Sequence, residues 1–328
     1  LRSPSKIIRG KQYIKIAIVV LMKCSRCERE AVIFIRYNGE HLCAEHFMEF
    51  LERRVKHELR RQVDLRPGDR IVVGASGGKD STTTVYLLKK ILSMRRDIEI
   101  IAVTIDEGIS GYRDRAIEVL RNYLKKIDVE HRIFRIKDSF GKTIDEISSL
   151  DKSLIPCTYC GVFRRSLLNR AARELGANYV ATGLNLDDTA QSIIMNFARG
   201  DLDRLARLGP HSIVKEDLIP RIQPLRMIPE KEVLLYAILR GIEFYHGTCP
   251  YADLALRNQY RKAIDEWEAR SPGTRHSIVS VYDQLKPLLI ENYKNFKLNR
   301  CEICGDPTPS KICKACELKI RLDKIQNI

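Results

Sequence analysis

Apolar residues return every fourth position through Phe47, Leu51, Val55, Leu59 and Val63, which places them on one side of an α-helix. Arg53, Arg54, Lys56, Arg60 and Arg61 make the other side basic, either as a solvated face or as one that meets RNA. Asp64-Leu-Arg-Pro-Gly68 ends the helix. From residue 69 to about 200, short apolar runs alternate with amphipathic ones. Residues 70–75, 99–105, 130–136 and 178–181 read as strands, and 81–95, 112–127, 164–175 and 187–198 as helices. This alternation predicts an α/β domain, a parallel sheet with helices on both faces. Ligands of such sheets bind beyond the carboxyl ends of the strands. After Gly200 the pattern loosens. Residues 218–225, with two prolines, predict an extended segment; 230–240, 254–269 and 274–298 predict helices, the last interrupted by Pro287.

The 328 residues are 44% hydrophobic, enough for a core, which excludes wholesale disorder. No apolar run reaches the roughly 20 residues of a membrane span. Residues 14–21 are apolar apart from Lys15, but they lack a small-residue cleavage site and run straight into a metal motif. The expectation is a natural start at Met22, with 1–21 a non-native or upstream extension. The expected domains are then a zinc finger at 22–48, a basic linker helix at 49–68, a catalytic domain at 69–298 and a zinc ribbon with tail at 299–328. The formal net charge, 57 − 42 = +15, points to a polyanion as partner. Nucleic acid comes first and an anionic membrane surface second; a lysine-rich solvated surface is the plain alternative. A 30% charged composition also suits a heat-adapted protein.

Ten cysteines include four Cys-x-x-Cys pairs. A secreted disulfide framework is normally a small loop-rich chain, so in a chain of this size the pairs read as metal ligands. Cys24, Cys27, Cys43 and His46 form a Cys₃His zinc pattern around a hairpin-sized loop, with His41 a worse-spaced competitor for His46. Cys301, Cys304, Cys313 and Cys316 form a four-cysteine ribbon, also zinc. Both modules are expected to need the metal to fold. The middle set differs: Cys157 and Cys160 are a pair, and Cys249 stands far away in His246-Gly-Thr-Cys-Pro250. Three thiols without an obvious fourth leave three readings open: an iron–sulfur cluster with one open corner, a Cys157/Cys160 redox pair, or a third zinc completed by His246.

The segment from Val72 to Ser81 follows a strand and opens a helix. Gly74, Gly77 and Gly78 let backbone approach a phosphate, Ser76 and Ser81 add hydroxyl donors, Lys79 adds charge, and the free N–H groups at the helix start complete an anion nest. It is not a Walker A loop, because Val73 stands where that pattern needs glycine and Asp80 where it needs Ser or Thr.

Ser76-Gly-Gly-Lys-Asp-Ser81 instead resembles the PP-loop of the N-type ATP pyrophosphatases. The resemblance implies ATP as substrate, contacts to the nucleotide from residues 74–81 (Ala75 among them), and Asp80 holding Mg²⁺ or positioning phosphates. Thr104-Ile-Asp-Glu-Gly108 is similar to the family's second nucleotide segment, implying Thr104, Ile105 and Asp106. Ala181-Thr-Gly-Leu-Asn-Leu-Asp-Asp188 resembles the later one, implying Gly183 and Asp188. Asp187 and Asp188 also suit a helix N-cap, one capping while the other acts.

The loop and three cysteine sites in this order resemble the tRNA 2-thiolation synthetases of the PP-loop family, over nearly the whole chain from Met22. The relatives are the TtuA group, which thiolates T-loop ribothymidine in thermophiles, and the archaeal and eukaryotic wobble-uridine thiolases. The resemblance implies a [4Fe–4S] cluster on Cys157, Cys160 and Cys249, and two Zn²⁺ in the terminal modules. It implies adenylation of uridine O2 and then sulfur delivery to C2, with the open iron holding the sulfur. It further implies tRNA and a ubiquitin-like sulfur carrier with a C-terminal thiocarboxylate as partners, a homodimer, and a cytoplasmic setting. Asp188 takes the position of an essential acid. Arg164 stands where one relative has an essential lysine; arginine keeps the charge but gives up no proton at neutral pH, which favours phosphate or adenylate contact. The T-loop is the expected target on the heat-adapted composition, with the wobble uridine as alternative. A non-enzymatic zinc-module RNA binder would not need the complete loop, and a lysidine- or amide-forming ligase would not need three extra thiols.

Overall fold

The computed structural model describes residues 22–211, 218–292 and 299–326. The proposed extension at 1–21 and the end of the last predicted helix, 293–298, lie outside them. The chain divides into two compact units between His46 and Phe47. In the first, β1 (Ile33–Ile35) and β2 (Glu40–Leu42) pair antiparallel, burying Ile35 and Leu42. His46 lies in the first turn of α1 (Ala44–Gln62).

From Phe47 on, α1 belongs to the second unit and buries Phe47, Leu51, Val55 and Leu59, the residues of its four-residue repeat. Its basic face is not uniform. Arg53, Lys56, Arg60 and Arg61 are exposed, whereas Arg54 turns inward to Glu232 and the Met227 carbonyl. Glu52 receives Lys90, Tyr236 and Arg240. The helix is therefore braced into the α/β core through charge pairs on the side that its apolar stripe leaves free.

The strands and helices follow as β3 (Arg70–Gly74), α2 (Lys79–Ile91), β4 (Glu99–Asp106), α3 (Arg113–Lys126) and β5 (Glu130–Arg135). Next come α4 (Ile136–Phe140), α5 (Ile144–Leu150), α6 (Pro156–Glu174), β6 (Tyr179–Thr182), α7 (Leu186–Ala198) and α8 (Leu202–Ala206). The sequence ends with β7 (Arg221–Ile222), α9 (Glu230–Leu239), α10 (Arg257–Arg270), α11 (Thr274–Asn292), β8 (Asn299–Arg300), β9 (Pro307–Thr308) and α12 (Lys314–Gln326). The five-stranded sheet runs β5-β4-β3-β6-β7 and is parallel throughout. Strand order reverses at β3, so a crevice opens between the carboxyl ends of β3 and β6, where doubly wound sheets take ligands. One core layer, with Val72, Val103, Phe163 and Leu167, continues into Cys301, Cys313, Leu318 and Leu322 of the C-terminal module. The opposite layer gathers Val73, Val85, Leu88 and Leu120.

The largest departure from the predicted elements is α6, which starts eight residues before the predicted helix. Pro156 sits in its first turn, where its missing N–H and fixed φ cost nothing. The weak helix formers after it are held by burial of Tyr159 and Phe163. Ile136, predicted as the end of a strand, begins α4, and residues 137–155, predicted as neither helix nor strand, carry the rest of α4 and α5. Pro287 is accommodated inside α11 without ending it.

Candidate active site

The phosphate loop joins β3 to α2 at the crevice. Gly77 takes φ +85°, and a Cβ there would stand 2.5 Å from the Ala116 carbonyl oxygen, so only glycine fits. Ser76 and Ser81 tie the loop across itself, the Ser76 N–H donating to Ser81 Oγ at 3.0 Å. No side chain caps α2, whose first-turn N–H groups therefore face the loop as an anion site. Just past β6, Gly183 lies so close to α2 that a Cβ would meet the Ser81 nitrogen at 2.8 Å. Ala75 is held by its N–H to the Val103 carbonyl at 2.8 Å and by Thr104 Oγ1, which donates to the Ala75 carbonyl at 2.6 Å. Thr104 and Ile105 are buried, so they support the loop rather than offer side chains to a nucleotide. Asp106 caps its own turn, accepting from the Gly108 N–H at 2.9 Å.

Carboxylates and cations collect at the mouth of the loop. Lys79 bridges Asp80 at 2.7 Å and Glu230 at 2.8 Å. Burial would lower the Lys79 pKa, but these two acids raise it, so it stays charged. Asn185 donates to Asp80 Oδ1 at 3.2 Å and, as N-cap of α7, accepts from the Asp188 N–H at 2.9 Å. Sequence reasoning gave the cap to Asp187 or Asp188; Asn185 takes it, because its side chain reaches the third helical N–H. Asp188 completes the capping box and faces Arg257 at 3.4 Å. Burial, reinforced by Asp80 and Glu230, raises its pKa. Asp187 is instead taken up by Arg275 and the Glu230 N–H, a structural role. Asp80, Asp188 and Glu230 bring carboxylates to this side of the loop, with Asp80 and Glu230 sharing Lys79 and Glu230 also taken up by Arg261.

The thiols lie next to this loop. Cys157 and Cys160 occupy the first two turns of α6, and Cys249 the segment after α9. That segment crosses the loop, with the Tyr245 N–H donating to the Gly77 carbonyl at 2.8 Å. Two residues past Cys249, the Tyr251 carbonyl accepts from Cys157 Sγ at 3.4 Å. On the other side, Arg113 donates to the Ser76 carbonyl at 2.6 Å and pairs with Glu107, which also meets Arg164 at 3.5 Å. Arg164 is 51% exposed and beside Cys160. Burial pushes the Cys160 thiol up to about 11 against the pull of Arg164. A buried Arg113–Glu107 pair thus links the phosphate loop to the cysteine turn. Sequence reasoning missed Asn185, Glu107, Arg113 and Glu230. Glu107 and Asn185 lay inside recognised segments; Arg113 and Glu230 join them only through the fold.

The terminal cysteine sets are different objects. Cys24, Cys27, Cys43 and His46 present donors all within 4.8 Å of one another, with Cys24 Sγ 3.3 Å and Cys43 Sγ 3.5 Å from His46 Nδ1. Cys301, Cys304, Cys313 and Cys316 do the same, Cys304 and Cys313 at 3.6 Å. A tetrahedral zinc with bonds of about 2.3 Å needs donors about 3.8 Å apart, so both sets fit. His41 stacks on Phe34 instead. Among the described residues, Cys157, Cys160 and Cys249, with or without His246, do not close to that spacing. Their wider separation does not suit a third zinc completed by His246.

A parallel sheet whose switch point carries this glycine loop, with a caged lysine and acids around it, defines a PP-loop nucleotide-binding protein. A family profile described as a PP-loop domain matches residues 48–266. A second, described as the N-terminal LIM domain of 2-thiouridine synthetase TtuA, matches residues 23–48. The tRNA 2-thiolation protein NcsA of Haloferax volcanii is 38% identical over 90% of this chain and 98% of its own length. The tRNA-5-methyluridine(54) 2-sulfurtransferase of Pyrococcus horikoshii is 36% identical over 90% of this chain and 93% of its own. Among solved structures, the U34-tRNA thiolase NcsA of Methanococcus maripaludis, with its [4Fe–4S] cluster, superposes with a TM-score of 0.81 at 34% identity, over 92% of this chain and 97% of that one. The chain belongs to the PP-loop family of tRNA 2-thiolation enzymes.

Proposed function

We propose that this chain is an ATP-dependent tRNA sulfurtransferase, forming AMP and pyrophosphate. In this reading residues 74–81 hold the nucleotide phosphates, and Cys157, Cys160 and Cys249 hold a [4Fe–4S] cluster. The observation that carries the reading is the union of the two sites: Ser76 and Gly77 of the phosphate loop are bonded to Arg113 and Tyr245, which lead to the three thiols. An adenylating site and a sulfur site must meet at one uridine ring, and here they are neighbours.

The chain's own residues divide the work. The loop N–H groups and Lys79 are placed to stabilise charge on the departing pyrophosphate when uridine O2 is adenylated. Asp80 and Asp188, with Glu230, would hold Mg²⁺, which supplies charge neutralisation between phosphates. Asp188, whose pKa burial raises, lies beside the loop, where a carboxylate can accept a proton. Arg164 holds a fixed charge between Glu107 and Cys160, suited to orienting the adenylated oxygen or a phosphate and unable to act as an acid. A bound cluster would supply a site for sulfur beside the activated C2.

The terminal modules would each hold one Zn²⁺. A ubiquitin-like carrier with a C-terminal thiocarboxylate is the proposed sulfur donor, a homodimer the proposed assembly, and the cytoplasm the setting, supported by relatives such as the cytoplasmic tRNA 2-thiolation protein 1 of Aspergillus niger. Among the described residues no helix is long and apolar enough to cross a membrane. For the position in tRNA, the T-loop reading rests on composition and the Pyrococcus relative, while the wobble reading draws on the solved U34 thiolase and has more support.

The test is mass spectrometry of nucleosides from unmodified tRNA incubated anaerobically with reconstituted protein, ATP and sulfide. The expected product is a 2-thiouridine at one mapped position, formed only with ATP. Sulfur incorporation without ATP, or ATP turnover that never yields thiolated tRNA, would sink the proposal.

A further inference from the structure

Each thiol segment of the middle site carries a tyrosine, and both tyrosines are held by α5 or the residue just after it. Tyr159 stands between Cys157 and Cys160 and is 0% exposed. Its hydroxyl donates to Asp151 Oδ2 at 2.6 Å. Tyr251, two residues after Cys249, donates through its hydroxyl to Asp145 Oδ1 at 2.8 Å. Its main-chain carbonyl is the one that accepts from Cys157.

The two aspartates are themselves fixed. Asp145 Oδ2 accepts from the Ser110 N–H at 2.9 Å. Asp151 Oδ1 accepts both the Ser153 N–H at 2.8 Å and the Ser153 hydroxyl at 2.6 Å. Its Oδ2 also takes Arg321 Nε at 2.8 Å. Arg321 lies on α12, whose first turn carries Cys316 of the C-terminal metal module. A chain of bonds therefore runs from that module, through Arg321 and Asp151, to the tyrosine that stands between the two cysteines in sequence.

A buried tyrosine needs one partner for its hydroxyl, and any backbone carbonyl would do. Here both partners are carboxylates, each with further donors, so a small rotation of α6 or of the Tyr251 segment breaks several charge-assisted bonds at once. Outer partners of this kind orient metal ligands and are worth about 10–100-fold in affinity.

We propose that Asp151 with Arg321, and Asp145, are positioning residues that set the spacing of Cys157, Cys160 and Cys249, so that the C-terminal metal module controls how firmly the middle site keeps its cluster. The inference rests on the reading of these thiols as a cluster site.

The experiment measures the rate of iron loss to a ferrous chelator from anaerobically reconstituted full-length protein, with iron and zinc counts and the electron paramagnetic resonance spectrum of the reduced form. Tyr159→Phe keeps the packing and removes only the hydroxyl. Arg321→Ala removes the brace, and Arg321→Lys keeps a charge. Asp306→Asn is the control, breaking the same module's contacts with Ser166, Arg170 and Arg173 farther along α6. Tyr159→Phe and Arg321→Ala should lose iron about tenfold faster, with an altered spectrum and two zinc ions retained. Arg321→Lys should recover much of the loss, and Asp306→Asn should match the wild type. Iron loss at the wild-type rate in Tyr159→Phe and Arg321→Ala, or equal acceleration in Asp306→Asn, would overturn the inference while leaving the cluster reading intact. Wild-type protein that takes up no iron would instead overturn the cluster reading, and this inference with it.

Discussion

The C-terminal metal module and the middle thiol site use the same Cys-x-x-Cys spacing to opposite ends. In the module, two pairs close on each other until four sulfurs lie within 4.8 Å, and three of the four cysteines are buried. In the middle site a single pair at a helix start faces a third thiol from a distant segment, all three are only partly buried, and Arg164 stands alongside. The first arrangement satisfies a metal completely and can only hold a fold; the second leaves room for chemistry. The spacing motif therefore does not decide between structure and catalysis. What decides is whether a second pair comes to meet the first.

The sharpest way to break that comparison is to remove one thiol from each. Cys304→Ser should cost one zinc and several kcal/mol of stability, on the order of 3–5, because the module shares a core layer with α6. Cys249→Ser should leave both zinc ions and the unfolding midpoint unchanged while thiolation falls by about 10³-fold or more. Zinc counts, denaturant unfolding and nucleoside analysis of the two variants check both halves. Equal destabilisation by both would erase the distinction.

A smaller effect separates the assembled site from the self-contained ones. Gly183→Ala places a methyl group against backbone of Asp80 and Ser81, so either β6 or α2 must shift. We expect a loss of about 1–3 kcal/mol and a rise of about tenfold in KM for ATP, with all metals retained. Unaltered ATP kinetics would show that the loop tolerates displacement.

The smallest effect concerns acid. Burial holds His131, His211 and His276 at about 4, below the ordinary 6.5, and all three lie in the second unit. The unfolded chain takes up protons on these rings from about pH 6.5 downward, while the folded chain resists until about pH 4. Their contribution to stability is therefore complete above pH 6.5 and lost as pH falls toward 4. Each should weaken the fold progressively across that range. His131→Gln should flatten the fall in urea midpoint between pH 7 and 5; an unchanged slope would count against it.

The terminal modules were legible because their ligands are neighbours in sequence, and the glycine loop because its strand–loop–helix context is local. The α/β alternation was legible for the same reason, through the repeats of α1, α3 and α7. The start of α6 was not, since Pro156 to Gly161 has weak helix propensity and is held by burial of Tyr159. The capping box of α5, Thr143 with Glu146, was present in the sequence and passed over. The pairings of Arg113 with Glu107, Asn185 with Asp80, and Tyr159 with Asp151 had no signal, even where one partner lay in a recognised segment. Such pairs carry no period, and nothing in one chain marks a partner reached through folding.

The cap of α7 has a consequence for how the site responds to its surroundings. α2 and α7 both begin at the carboxyl end of the sheet, with Gly183 pressed against the first turn of α2. Each helix end carries about half a positive charge. Yet the same turns hold Asp80 and Asp188, so attraction for a polyphosphate and repulsion of it arise within one crevice. In the proposed reading, a divalent ion would resolve the conflict by joining phosphate to carboxylate. Nucleotide affinity should accordingly rise and fall with the concentration of free magnesium.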